Sequence, residues 1–345
     1  MAKKLKNQSG VALIIVIFIV ALASVIVVNL AYSTYLGSRV SAGAQRAVQA
    51  EYLLKSALSL AQVLIDAGNP TIDSHKELWA QFYDGQAIPS SYLGLAENNP
   101  RISLEIRPDD VRLNLKKLGE STLAGAGNRK WEQIFTRFFQ GLGFDTDVKE
   151  LDLSGLFPKK HFLAADLAVS LIEYMDQDTT SYSPGGYEGS LPNAKDVFPN
   201  TYMKSLSELG AVPGFTSARI NQSLPFLTVR GTGDININFV TGVRSLETKV
   251  LEALHPDLTA AMAQAIQAIA LSDDPFSSSS DPRISATLGA TILNDIGAAS
   301  FIASSKYFQV IAEADYGTSR YFLRAHITRD TSASPLPKVT SVEIF

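Results

Sequence analysis

The sequence predicts an α+β protein in which a long N-terminal helix packs on an antiparallel sheet and a large all-helical domain is inserted into that frame. Three observations predict it. An uncharged apolar run from Val11 to Leu30 leads without interruption into an amphipathic helical pattern. Segments alternating with period two occur at residues 101–115 and again after residue 307. Between these two sets the periodicity is helical, so the helical block reads as an insertion into one α+β frame.

The first element is the apolar helix. Val11 to Leu30 reads VALIIVIFIVALASVIVVNL, with only Ser24 and Asn29 as polar interruptions. At about 1.5 Å per residue such a run spans about 30 Å, the thickness of a bilayer's hydrocarbon core. Lys3, Lys4 and Lys6 precede it, which places the N-terminus in the cytoplasm and the remainder outside. A secretory signal cleaved after Ala21-Leu22-Ala23 would release a soluble protein at Ser24, but the apolar run continues through Val25, Ile26, Val27, Val28 and Leu30, where signal peptides turn polar. A plain uncleaved anchor is the other ordinary reading.

The helix is expected to continue. From Ala44 to Ile65, apolar residues recur at Ala47, Ala50, Leu54, Ala57/Leu58, Ala61 and Leu64/Ile65, and Gly68-Asn69-Pro70 supplies a stop. One helix over about 11–67 follows. After a loop region at 68–100, Arg101–Arg107 and Val111–Leu115 alternate, separated by Pro108-Asp109-Asp110, and are expected to form a hairpin. Helices are expected at 131–139, 162–175, 205–209, 217–224, 248–254 and 256–270, with a strand at 234–240 and a polar loop at 272–282. Strands return at 307–314, 319–329 and 338–345, the first two paired across Tyr316-Gly317.

Composition excludes several classes. The chain has 345 residues with 30 basic and 34 acidic side chains, 19% charged, against about 25% in an average soluble protein. The deficit lies in the apolar helix. Without the three leader lysines, 27 basic residues face 34 acidic ones, which argues against nucleic-acid binding by bulk positive charge. The absence of cysteine excludes disulfides, thiolate metal sites and cysteine nucleophiles. The four histidines, His75, His161, His255 and His326, have no metal-ligand spacing, and no nucleophile elbow, P-loop or dinucleotide fingerprint occurs. Enzyme readings therefore lack support.

The leader itself has a further pattern. A short basic segment ends in Gly10 and the apolar helix begins at once with Val11-Ala12-Leu13-Ile14-Ile15. This resembles a class III signal of the type IV pilin superfamily, which implies cleavage after Gly10 by a prepilin peptidase and methylation of Val11. Most pilins carry glutamate as the fifth mature residue, and here that place is Ile15. Three more segments extend the resemblance: Pro108-Asp-Asp-Val-Arg-Leu-Asn-Leu-Lys-Lys-Leu; Leu171-Ile-Glu-Tyr-Met-Asp-Gln-Asp with the Gly185-Gly186-Tyr187-Glu188 loop and Ser205-Leu-Ser-Glu-Leu; and Ile235-Asn-Ile-Asn-Phe-Val with Val250-Leu-Glu-Ala-Leu. Together they are similar to general secretion pathway protein K, the large minor pseudopilin family of type II secretion. The resemblance covers essentially the whole chain.

It implies a leader at 1–10, a transmembrane and filament-core helix at 11–36, and pilin-like parts at 37–118 and 233–345 around a helical insertion at 119–232. It implies a subunit in the inner membrane, with its bulk in the periplasm, at the tip of a short pseudopilus that helps export folded proteins. The implied partners are other minor pseudopilins, the major pseudopilin, the prepilin peptidase and the inner-membrane assembly platform, with no nucleic acid. It also implies calcium. Asp176, Asp178 and Glu188 offer hard oxygen ligands around a Gly/Ser/Thr-rich loop. By spacing alone these are turn-forming, solvated carboxylates, and they do not match an EF-hand. Asp273, Asp274 and Asp281 form a second acidic loop, read as turn chemistry. One competing reading remains: Leu209-Gly-Ala-Val-Pro-Gly214-Phe-Thr resembles a helix-hairpin-helix turn of a DNA-uptake or pilus component, with only Lys195, Lys204 and Arg219 nearby against Asp196 and Glu208.

Overall fold

The computed structural model describes residues 6–89, 100–123, 129–146, 150–151, 160–182, 198–240, 248–297, 300–329 and 336–345. Helix α1 (Lys6–Asp66) is unbroken, as the sequence predicts. Its second half buries Ala50, Leu53, Leu54, Ala57, Leu58, Ala61 and Ile65, the expected stripe. They pack on a five-stranded antiparallel sheet of order β1 (Gln86–Ile88), β2 (Arg101–Pro108), β3 (Tyr307–Asp315), β4 (Arg320–Thr328) and β5 (Lys338–Ile344). Ile102, Leu104 and Ile106 of β2, Val310 and Ala312 of β3, and Leu323 and Ala325 of β4 form the opposing layer. Alanines on both surfaces let helix and sheet approach closely, and each fully buried leucine or isoleucine contributes about 1.5–3 kcal/mol.

The β3–β4 hairpin forms as expected, from Arg320 opposite Asp315 to Thr328 opposite Tyr307. The other expected hairpin does not. β2 pairs with β1 and β3, while Leu113–Asn114 forms a short parallel bridge with Leu227–Thr228. The cause lies in the turn. Asp109–Val111 is a 3-10 turn whose two carboxylates are buried, and this directs the chain out of the sheet. Leu113, Leu115 and Leu118 then enter a different core. Period two was legible, but the partner was not. The expected loop at 68–100 also contains the 3-10 turn Trp79–Phe82 and strand β1, with Trp79 fully buried between α1 and the sheet.

The second core is helical. Helices α2 (Lys116–Leu123), α3 (Arg129–Gly141) and α4 (Ala164–Met175) join it. α3 contributes Ile134, Phe135, Phe138 and Phe139, and α4 contributes Leu167, Leu171 and Ile172. The same cluster continues past residue 232 through Ile235, Val250, Leu251, Ile266, Phe276, Ile284 and Phe301. The boundary expected at 232/233 therefore cuts through one apolar core, and the helical body extends to Phe301. Backbone capping joins its halves: the Arg137 guanidinium donates to the carbonyls of Ala253 (2.8 Å) and Leu254 (3.0 Å). Residues 283–300, for which no element is expected above, hold helices Pro282–Leu288 and Ala290–Ile296. The strand expected over 234–240 is reduced to Ile235–Asn236, paired in parallel with Phe301–Ile302. The helix expected from Pro256 begins at Ala260, where the Thr259 side chain accepts from the Met262 amide.

Candidate functional site

The first half of α1 carries Gly10, Val11 and Ile15, the residues at which processing and filament packing are expected. Gly10 lies within the continuous helix, and among the described residues nothing beyond its own helical neighbours lies within 4 Å of a Cβ built there. Val11 and Ile15 are 58% and 53% exposed, as are their aliphatic neighbours around the whole helix circumference. Among the described residues this is the one helix long and apolar enough to cross a membrane. An all-round apolar surface needs either lipid or other helices as its partner.

The chain leaves the sheet at Pro108 and returns at Tyr307, and these two crossings are tied together by buried carboxylates. Asp110 accepts from the amides of Lys306 (2.9 Å) and Tyr307 (3.2 Å). Asp109 faces Arg112 (3.3 Å) and His326 (3.1 Å). Asp73, fully buried after the end of α1, accepts from the Arg329 guanidinium (2.9 Å), the Asn236 amide group (2.7 Å) and the Ser305 amide (2.6 Å). Asn238 donates to the carbonyls of Phe276 and Ala303. The node therefore joins the α1 terminus, the sheet and the helical body. Sequence pattern reports apolar periodicity, so nothing in it marked these polar residues as interior.

Burial pushes the Asp110 carboxyl up to about 7, against the pull of its two backbone amides. A folded-state value above that of the unfolded chain means that the folded form holds the extra proton. Stability from this group is present below about pH 4, the value of an unperturbed aspartate, and is lost as pH rises through about 7. Burial also pushes Asp73 upward, adding in the same direction. Thermal melts of the full chain are expected to fall between about pH 5.5 and 7.5, and Asp110→Asn, which keeps an acceptor for both amides, is expected to flatten that slope. An unchanged slope in the variant would show that Asp110 does not titrate there.

The acidic loops differ from one another. Asp176 caps α4 and is buried, beside buried Glu173 one turn earlier. Asp178 is exposed, and its carboxylate accepts from the Thr180 amide. Glu188 lies outside the described residues. Among the described residues no group of three metal-ligating side chains converges. The second loop is closed by a protein cation. Arg283 donates to Asp281 (2.7 Å), to Asp274 (3.0 Å) and to the carbonyls of Asp274 and Pro275. Hydrogen bonding to Arg283 holds the Asp281 carboxyl well below the usual carboxylate range, and Asp273 pairs with Lys76.

The turn at 209–216 is a packing element. Gly214 has φ +89°, and a Cβ there would lie 2.5 Å from the Phe162 ring and 2.7 Å from Leu167. Arg219, buried, donates to the carbonyls of Gly214, Phe144 and Phe162, so it cannot face a phosphate. Glu208 closes a capping box on Ser205. Lys195 and Asp196 lie outside the described residues. His75, His255 and His326 are held apart by Asn238, Asp295 and Asp109 respectively.

Residues 111–232 match the family described as Type II secretion system (T2SS), protein K. The fold matches a chain of "The Crystal Structure of the GspK-GspI-GspJ complex from enterotoxigenic Escherichia coli Type 2 Secretion System" with a TM-score of 0.61. Identity is 18%, over 88% of this chain and 99% of that one. No curated protein matches. The long apolar helix, the antiparallel sheet it packs on and the helical body between β2 and β3 define a pilin-like α+β protein. Residues 111–232 thus carry a domain of the kind described for type II secretion system protein K. The chain's N-terminal helix is long and apolar enough for one membrane crossing.

Proposed function

We propose that this chain occupies the tip of the periplasmic pseudopilus, initiates its assembly, and so helps move folded proteins across the outer membrane as a structural subunit without catalytic activity. The observation that carries this reading is Ile15 in a protein K chain. When apolar helices pack at a filament centre, each N-terminal ammonium lies in a low-dielectric setting and needs a carboxylate nearby. A subunit with Ile15 offers no carboxylate at that place, so it fits where no subunit stacks above it. Its partners would be two other minor pseudopilins, as in the related complex, together with the major pseudopilin and the assembly platform. Prepilin peptidase would cleave after Gly10 and leave a methylated Val11. The DNA-uptake alternative is disfavoured by the buried Arg219.

The test is position. Labelled copies of this chain are expected at one end of isolated pseudopili, deletion is expected to impair assembly and secretion, and Ile15→Glu is expected to change secretion little. Labels at regular intervals along the filament would overturn the assignment.

Calcium is a second part of the proposal. Asp176 and Asp178 provide hard oxygen donors at the end of α4, and Glu188 would complete the set. The ion would fix the loop after α4 to the helical core. Calcium is expected to raise the melting temperature of the full chain by several degrees, and Asp176→Ala with Asp178→Ala is expected to abolish that rise. A rise that survives the double variant would place the ion elsewhere.

A further inference from the structure

A cleft of about 580 Å³ opens between the outer side of the sheet and the helical body. Lys116, Lys204 and Arg230 stand on its helical side, and His326 and Thr328 of β4 stand opposite. Among the described residues, none of the three cationic side chains has an ion-pair or hydrogen-bond partner. The one lining carboxylate, Asp109, is 1% exposed and is engaged by Arg112 and His326, so it does not neutralise them. His326 meets Asp109 through Nδ1 and keeps Nε2 without a partner among the described residues. The neighbouring cleft beside Phe226 and Phe239 also contains cations, yet each is paired: Arg107 with Glu105, Arg112 with Asp109 and Lys249 with Glu252.

Three unpartnered cations around one cleft are notable in a chain whose residues beyond the leader carry 27 bases against 34 acids. Their mutual repulsion is relieved when anionic oxygens enter between them. We propose that this cleft takes the carboxylates of an acidic segment of another polypeptide, bridging the helical body to β4. The volume far exceeds that of one small anion. Lys204 is exposed at the rim, while Lys116 and Arg230 are half-buried deeper in. That gradient suits a chain segment entering from solvent, drawn in by charge complementarity.

This inference goes beyond the secretion reading and is tested without it. Fluorescent hexaglutamate and hexaglutamine peptides would be titrated against the full chain in detergent, with polarisation as the readout. Hexaglutamate is expected to bind, and to weaken severalfold between about 50 and about 200 mM salt. Hexaglutamine is expected not to bind. Lys116→Gln with Arg230→Gln is expected to weaken hexaglutamate about tenfold, while Lys249→Gln at the neighbouring cleft leaves it unchanged. Lys204→Gln, at an exposed position, keeps the test valid if the double variant fails to fold. Equal binding of hexaglutamine, or full affinity in the cleft variants, would overturn the proposal. Binding of inorganic phosphate without hexaglutamate would also overturn it, assigning the cleft to a phosphate group instead.

Discussion

Arg329→Ala is expected to destabilise the full chain by about 3–5 kcal/mol at neutral pH, the cost of leaving one member of a buried ion pair uncompensated. Asp73 is fully buried and its carboxylate is shared among Arg329, Asn236 and the Ser305 amide. Removing the guanidinium leaves the charge with two neutral donors. Burial already pushes Asp73 upward, so the variant is expected to recover part of its loss at lower pH, where the carboxyl takes a proton. In a circular dichroism melt the loss corresponds to about 10 °C. Arg329→Lys, which keeps a charge but not the planar fork, is expected to fall between. A melt unchanged by Arg329→Ala would show that the junction between sheet and helical body does not depend on this pair.

Gly214→Ala is expected to cost about 4 kcal/mol, combining a left-handed backbone strain with overpacking against an aromatic ring. The φ of +89° and the 2.5 Å approach to Phe162 act together, so neither can relax without worsening the other. Limited proteolysis is expected to show the helical body opened, with the protease-resistant α1–sheet part retained. The result also separates two readings of the turn. A helix-hairpin-helix that binds phosphate would lose DNA affinity on this change, whereas a packing turn loses stability. A stable Gly214→Ala variant with reduced DNA affinity would revive the DNA-uptake reading.

Much of the frame was legible because it rests on apolar periodicity. The stripe from Ala50 to Ile65 and the alternation of β2, β3 and β4 each reported which face is buried. Strand partners were less legible. Val111–Leu115 has the right period for a hairpin with β2, but two buried aspartates turn it into the helical core. Period fixes which way side chains face, not which strand lies alongside. The helical core continues past residue 232 for a related reason: Asn236 and Asn238 have the spacing of a polar strand face, yet they are interior anchors of the junction. Gly10, Val11 and Ile15 are singled out by their place relative to the apolar run, and the fold adds only that they lie on an exposed stretch of α1. The unpartnered cations Lys116, Lys204 and Arg230 are far apart in sequence, and only the fold brings them to one cleft.

Intact mass and N-terminal peptide analysis of the chain purified from membranes reads the fate of the leader directly. A pseudopilin is expected to begin at N-methylated Val11, with the whole apolar helix retained and Ile15 as its fifth residue. A chain beginning at Ser24, or one retaining Met1 to Gly10, would contradict that account.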